Sequence, residues 1–352
     1  MRKGHASVIP LAYLRWINAW MLAALIILMT ICSSSQGQGI PLNATVSTDG
    51  SGQFTTIQAA INAAPNMSVT KYYIWIRAGR YMENVLVGKK KHNIVLIGDG
   101  MEKTVISGNR SNATGFSTYE TATVGIKGQG FTAQHITFEN SAGPDGNQAV
   151  AVRIEADVSA FYKCRFLGYQ DTLYTSRNRQ FFRECEIFGT VDFIFGGAAV
   201  IFQNCKIFTL NPRDSQKNTI TAQKRESPGG KTGIVIQNCT ITAAPGLAPQ
   251  LSKFQTFLGR PWGLFSRTVV MHSFLDDLID PMGWLAWEGR SPDKIDEVFY
   301  AEYENKGPGA NTKGRVPWAR EINNSSEAAM FTVKNFIKGD QWIPSTIPFD
   351  IM

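Results

Sequence analysis

A chain of 352 residues that is 43% hydrophobic and 18% charged has enough apolar side chains to bury a full core, which excludes a disordered protein and points to a soluble globular one. Its formal charge of +7 is spread along the chain. The one dense basic run, GKKKH at 88–92, has no interleaved aromatics, so nucleic acid is not an expected partner; the excess suits an acidic polymer but fixes no function by itself.

The first abrupt change of composition is at the start. Arg2, Lys3 and Arg15 precede the apolar run AWMLAALIILMTIC, and SSSQGQG follows it. The run is short for a membrane span and is followed by small residues, which predicts a secretory signal peptide over 1–37, an uncleaved anchor being the alternative. Its removal takes away three basic residues and no acidic ones, leaving about +4. Sequons at Asn43, Asn66, Asn109, Asn112, Asn238, Asn323 and Asn324 suit a secreted glycoprotein with no membrane attachment after cleavage.

Beyond the leader, residues 38–352 read as one domain. TIQAAINAAP predicts one amphipathic helix near 55–64, and short β-rich runs separated by Gly, Asn and Pro follow. Four of these runs are alike: FYKCRF at 161, FRECEI at 182, FQNCKI at 202 and IQNCTI at 236. Their cysteines fall at 164, 185, 205 and 239. A period near 20 residues with a strand in each repeat predicts an all-β solenoid whose coils stack in register, the helix capping one open end. The longer last step is expected to carry RESPGGKTG as an insertion. A β-sandwich with evenly spaced strands is the competing architecture.

Stacking has two consequences. Cys164 and Cys185 occupy one coil position, with Cα atoms expected about 5 Å apart, within disulfide range; a ladder of buried free thiols is the alternative. Asp171 and Asp192 each lie seven residues after those cysteines, so they too share a position on consecutive coils. Two carboxylates at strand spacing, about 4.8 Å, cannot both ionise easily. Such a pair offers a nucleophile or base beside an acid. Taken singly, Asp171 reads equally well as a turn cap and Asp192, between Val191 and Phe193, as a paired core residue. His5, His92, His135 and His272 form no recognisable triad or metal pattern, and no metal or cofactor is expected.

GYQDTL, VDFIFG, LGRPW at 258–262, NQAVAVR at 147–153 and GRYMENV at 79–85 resemble the signature blocks of the plant-type pectin methylesterases (pectinesterases), in the family's order from about Val46 almost to the end. The resemblance implies a right-handed parallel β-helix and hydrolysis of methyl esters in homogalacturonan. It makes Asp192 the nucleophile, Asp171 the general acid/base, Gln148 and Gln170 the oxyanion donors and Arg260 the partner of the nucleophile. Thr118, Gln148, Arg260 and Trp262 are implied substrate contacts. Tyr169, Phe195, Trp284 and Trp287 are candidates to line a sugar groove, Trp262 and Trp284 being the aromatics favoured; most aromatics elsewhere read as core.

Glu83 and Asp49 read as structural. Gly263 and Leu264 after LGRPW, and Gly197 after DFIFG, depart from the usual pattern without touching the expected catalytic set. The expected partners are pectin and a proteinaceous pectinesterase inhibitor, for a secreted monomer acting in the cell wall. The chain resembles the short class without an inhibitor-like pro-region. A glycosidase using paired carboxylates and a non-catalytic wall-binding module are the competing functions.

Overall fold

The structure is a computed structural model, and it describes residues 42–289, 295 and 297–351. The expected leader, 1–37, lies outside the described residues.

Among the described residues the strands form three parallel sheets of eleven, eight and seven strands, and each central turn of the chain contributes one strand to each sheet, the turns at the two ends contributing fewer. One coil runs Ser159–Tyr162, Arg165–Leu167, Leu173–Thr175; the next runs Arg179–Arg183, Glu186–Gly189, Val191–Gly196. The molecule is a right-handed parallel β-helix, the handedness that parallel crossovers adopt. The predicted solenoid is therefore present and the sandwich is not.

The cysteine repeat marks one corner of this helix. The residue before each cysteine takes the left-handed conformation, at φ 50° for Lys163, 51° for Glu184, 56° for Asn204 and 52° for Asn238. Asparagine tolerates that region better than most residues, and the Asn238 amide donates to Asn204 Oδ1 at 2.8 Å across the coils. The apolar residue three before each cysteine points inward. Phe161, Phe182 and Phe202 pair in register and stack with ring centroids 4.7 and 4.6 Å apart, so the sequence period becomes a ladder in the core.

The four described cysteines are buried free thiols, so the Cys164 to Cys185 bridge is not formed. Each of the later thiols instead faces a carbonyl of the preceding coil: Cys185 to Phe161, Cys205 to Phe182 and Cys239 to Phe202, at 3.6, 3.6 and 3.4 Å. The long step from Cys205 to Cys239 enlarges two corners, 210–217 and 224–232; RESPGGKTG supplies only the second.

The helix Ile57–Ala63 closes the N-terminal end with Ile57, Ala60 and Ile61 on the core. Thr56 caps it, and both Glu83 oxygens accept from the Ile57 and Gln58 N–H groups, at 2.9 and 3.1 Å. A carboxylate on the N-terminal amides satisfies donors that a short helix leaves open, which is the structural role of Glu83. Asp49 likewise accepts from Ser47 and Ser51. At the other end the chain returns over the outer face of the largest sheet. There Phe331, Val333, Ile337, Ile343 and Ile347 bury against Phe181, Ile201, Val235 and Val269.

Candidate active site

The seven-stranded sheet carries the groove. Its strands Leu173–Thr175, Val191–Gly196, Asn218–Gln223 and Thr256–Pro261 follow one another along the helix axis, so residues far apart in sequence meet on its outer face. A cavity of about 570 Å³ lies on that face, and Thr118, Gln148, Gln170, Asp171, Asp192 and Arg260 all line it.

How Asp192 leaves an apolar strand is visible in the register. Val191 pairs with Thr219 and Ile194 with Thr221, so Asp192 and Phe193 together stand opposite Ile220 alone. This is a β-bulge, which bends the strand and re-aims a side chain. Phe193 goes into the core, fully buried, where its ring lies against Gly189; a Cβ at Gly189 would sit 2.2 Å from the Phe193 Cβ. Asp192, at φ 51°, turns to the groove.

Once there it is held from two sides. Arg260 donates through Nε to Oδ1 and through Nη2 to Oδ2, both at 2.8 Å. The Thr219 hydroxyl donates to Oδ1 at 2.7 Å and accepts from the Asp192 N–H at 2.9 Å. These charge-assisted bonds offset the cost of burying the carboxylate and fix its plane. Burial alone would depress the Arg260 guanidinium, but its bonds to Asp192 outweigh that and raise it.

Asp171 sits two residues before Leu173, which pairs with Ile194, so it holds the same coil position as Asp192, at φ 65°. Its carboxyl makes no hydrogen bond among the described residues. Burial first, and the Asp192 charge second, push it well above the usual carboxylate range, against a smaller opposing pull from Arg260. The two carboxyls are thus unlike: Asp192 is clamped by Arg260, whereas Asp171 has no such partner and a raised proton affinity. Gln148 and Gln170 line the same cavity, and neither side-chain amide has a hydrogen-bond partner among the described residues.

The walls are aromatic. Tyr174 stacks on Phe195 at 4.3 Å, and Trp262 lies nearly parallel to Trp287 at 6.4 Å, with the Arg260 guanidinium 4.5 Å from the Trp287 ring. Phe195 and Trp262 line the cavity as expected. Tyr169 and Trp284 do not. Tyr169 sits at the corner, where its carbonyl accepts from Thr190 N–H at 3.0 Å. Trp284 is fully buried, its ring edge-on to Tyr300 at 4.8 Å and its backbone bridged to Gly259, so it is a core residue and the expectation of a sugar contact is corrected. Trp287, three residues on, is the one of the pair that reaches the groove. Ser117, Tyr119, Tyr174, Ala222 and Lys224 complete the lining; no motif singled them out.

Residues 43–340 match the family model described as Pectinesterase. Among curated relatives, the chain is 53% identical to "Probable pectinesterase/pectinesterase inhibitor 39" of Arabidopsis thaliana over 88% of its own length and 58% of the relative's. The chain thus spans a little under three fifths of that relative. Among solved structures, it superposes on a pectin methylesterase from carrot with a TM-score of 0.87 at 48% identity, covering 88% of this chain and 98% of the other. A pectin methylesterase solved in complex with a hexasaccharide matches with a TM-score of 0.73 at 26% identity, over 88% of this chain and 100% of that one. The chain belongs to the pectinesterase family.

Proposed function

We propose that this protein is a pectin methylesterase, hydrolysing methyl esters of homogalacturonan to acidic pectin and methanol through an aspartyl acyl-enzyme. The observation that carries the reading is the asymmetry of the carboxyl pair: Asp192 clamped by Arg260, Asp171 buried beside it with a raised proton affinity. Family membership and the oligosaccharide-bound relative support a pectin substrate. The proposal also carries secretion to the cell wall, a monomeric state and a proteinaceous pectinesterase inhibitor as partner.

In this mechanism an Asp192 oxygen attacks the ester carbonyl carbon. The carbonyl oxygen becomes an oxyanion, which the side-chain amides of Gln148 and Gln170 stabilise; one such donor is typically worth about 3 kcal/mol. The carbon–oxygen bond to the methoxy group breaks as Asp171 gives that oxygen its proton, and methanol leaves. Asp192 is now acylated and carries no charge, so the penalty on an ionised Asp171 falls. Asp171 then takes a proton from water, the hydroxide adds to the acyl carbon, and collapse releases the new carboxylic acid and the Asp192 carboxylate. Arg260 keeps the attacking oxygen in place, and the flat walls of Phe195, Trp262 and Trp287 suit pyranose faces.

The test is methanol release from methyl-esterified homogalacturonan by purified protein. Methanol without loss of polymer length is expected; shortened or unsaturated oligosaccharides as primary products would replace the esterase by a depolymerase.

A further inference from the structure

The inward column that stacks Phe161, Phe182 and Phe202 does not stay apolar. It continues through Ile236 and Val270, and the next partner in register is Glu302, buried at the C-terminal end of the helix. Arg315, from the loop that follows, meets it with a fork: Nε donates to Oε1 at 2.7 Å and Nη2 to Oε2 at 3.0 Å. The two side chains are 6% and 3% exposed. The other N–H groups of the guanidinium are also used within the protein. Nη2 donates to the Gly309 carbonyl at 2.7 Å, and Nη1 to the Pro281 carbonyl at 3.1 Å and, at the longer reach of 3.5 Å, to that of Asp280.

Asp280 and Pro281 belong to a segment, 279–285, that runs beside the strand carrying Arg260. Ile279 bridges Thr256 and Trp284 bridges Gly259. The N–H groups of Asp280, Leu258 and Leu285 donate to the carbonyls of Thr256, Gly283 and Gly259, at 2.8, 2.8 and 3.0 Å. Two residues after Leu285 comes Trp287, whose ring lies 4.5 Å from the Arg260 guanidinium. The segment has further anchors in Arg315 and in the Val316 N–H, which donates to the Met282 carbonyl at 3.1 Å. Its turn takes the left-handed conformation at Gly283, φ 68°, and a Cβ there would stand 2.3 Å from the Arg315 Cδ, so the arginine stem lies directly against the turn.

Closing the end of the column does not require an ion pair. An apolar residue at 302 would extend it without the desolvation that two buried charges suffer, and such replacements are often neutral or stabilising. What an apolar pair lacks is a set of directed donors for the carbonyls at 280 and 281. We infer that Arg315, held by Glu302, is a positioning residue for the reaction: it sets the course of 279–285, and through it the seat of Trp287 on Arg260, from the end of the helix and without touching substrate. The inference rests on the pectin methylesterase reading and adds a remote control of polymer binding to it.

The experiment replaces the pair together. Glu302→Leu combined with Arg315→Met roughly keeps the volume and removes both charges, and the carbonyls it frees lie near a cavity of about 270 Å³, lined by Thr312, Arg315 and Glu321 among others, that admits water. The urea midpoint should stay at or above the wild-type value. KM for methanol release from methyl-esterified homogalacturonan should nevertheless rise about three- to tenfold, with kcat within about twofold. In a Trp287→Ala background the same two changes should leave KM where it was, because the wall they position is already gone. An unchanged KM in the double variant, or the same rise with and without Trp287, overturns the inference and leaves the ion pair as an end plug. If the double variant fails to fold, Arg315→Lys decides the matter: it keeps the charge beside Glu302 and loses the fork, so KM should rise about two- to fivefold with Trp287 present and not without it. An unchanged KM for Arg315→Lys overturns the inference equally. No methanol from wild-type protein would instead refute the esterase reading, and the inference would fall with it.

Discussion

Arg260 grips Asp192 with two parallel hydrogen bonds of 2.8 Å, and the two side chains are only 17% and 9% exposed. Breaking a buried pair from one side leaves an uncompensated charge, at about 3–5 kcal/mol. Arg260→Ala is therefore expected to lower unfolding stability in urea by about that amount, besides its loss of activity. Arg260→Lys, which keeps the charge but not the fork, should lie between. An unchanged midpoint for Arg260→Ala would mean that Asp192 does not depend on the guanidinium.

Asp171 makes stability depend on pH in a definite sense. Its folded proton affinity is raised, by burial and then by Asp192, above that of the unfolded chain. Its favourable contribution is therefore complete below the ordinary carboxylate range and is lost as pH rises through its raised folded value. Asp171→Asn removes the titration, so the variant should be more stable than wild type at neutral pH and gain progressively less as pH falls toward 4. Thermal unfolding of both proteins across that range measures it; a constant difference would contradict the raised affinity.

Trp284 and Trp287 should separate cleanly. Trp284, fully buried against Tyr300, is expected to cost about 3–5 kcal/mol on replacement by alanine. Trp287→Ala should cost much less stability and raise KM for the polymer, through the lost wall beside Trp262. Urea unfolding and methanol-release kinetics on the two variants give the comparison, and a large KM effect confined to Trp284→Ala would reverse the assignment.

These two tryptophans also show where reading the chain stops. The 20-residue period was legible because four successive coils repeat one corner, with a left-handed residue and then a buried cysteine, and that repeat puts Asp171 and Asp192 in line. The helix at 57–63 was legible from its own apolar spacing. Within GWLAWEG, however, both tryptophans look alike, and only the bridge of Trp284 to Gly259 decides which faces inward. The β-bulge that turns Asp192 outward leaves no local mark, since Val191 to Gly196 is apolar on both sides of it. Lys224 was invisible for the same reason: it comes to Trp262 only through strand register, 38 residues apart.

The cysteine column predicts a chemical result. Cys164, Cys185, Cys205 and Cys239 are free and buried, so all four should be recovered unbridged by peptide mapping after unfolding in an alkylating agent without reductant. The melting temperature should be the same with and without reductant. A bridged peptide joining Cys164 and Cys185 would restore the alternative that strand spacing alone allows.

The central claim is that Asp192 attacks the ester, and the most direct measurement is methanol release by Asp192→Asn, normalised to folded protein that still binds the polymer. The substitution keeps the shape of the side chain and removes its charge and nucleophilicity. Turnover is predicted to fall by about three orders of magnitude or more, with binding largely kept. Release within about tenfold of the wild-type rate would contradict the account, and the clamped carboxylate would then be a structural partner of Arg260 alone.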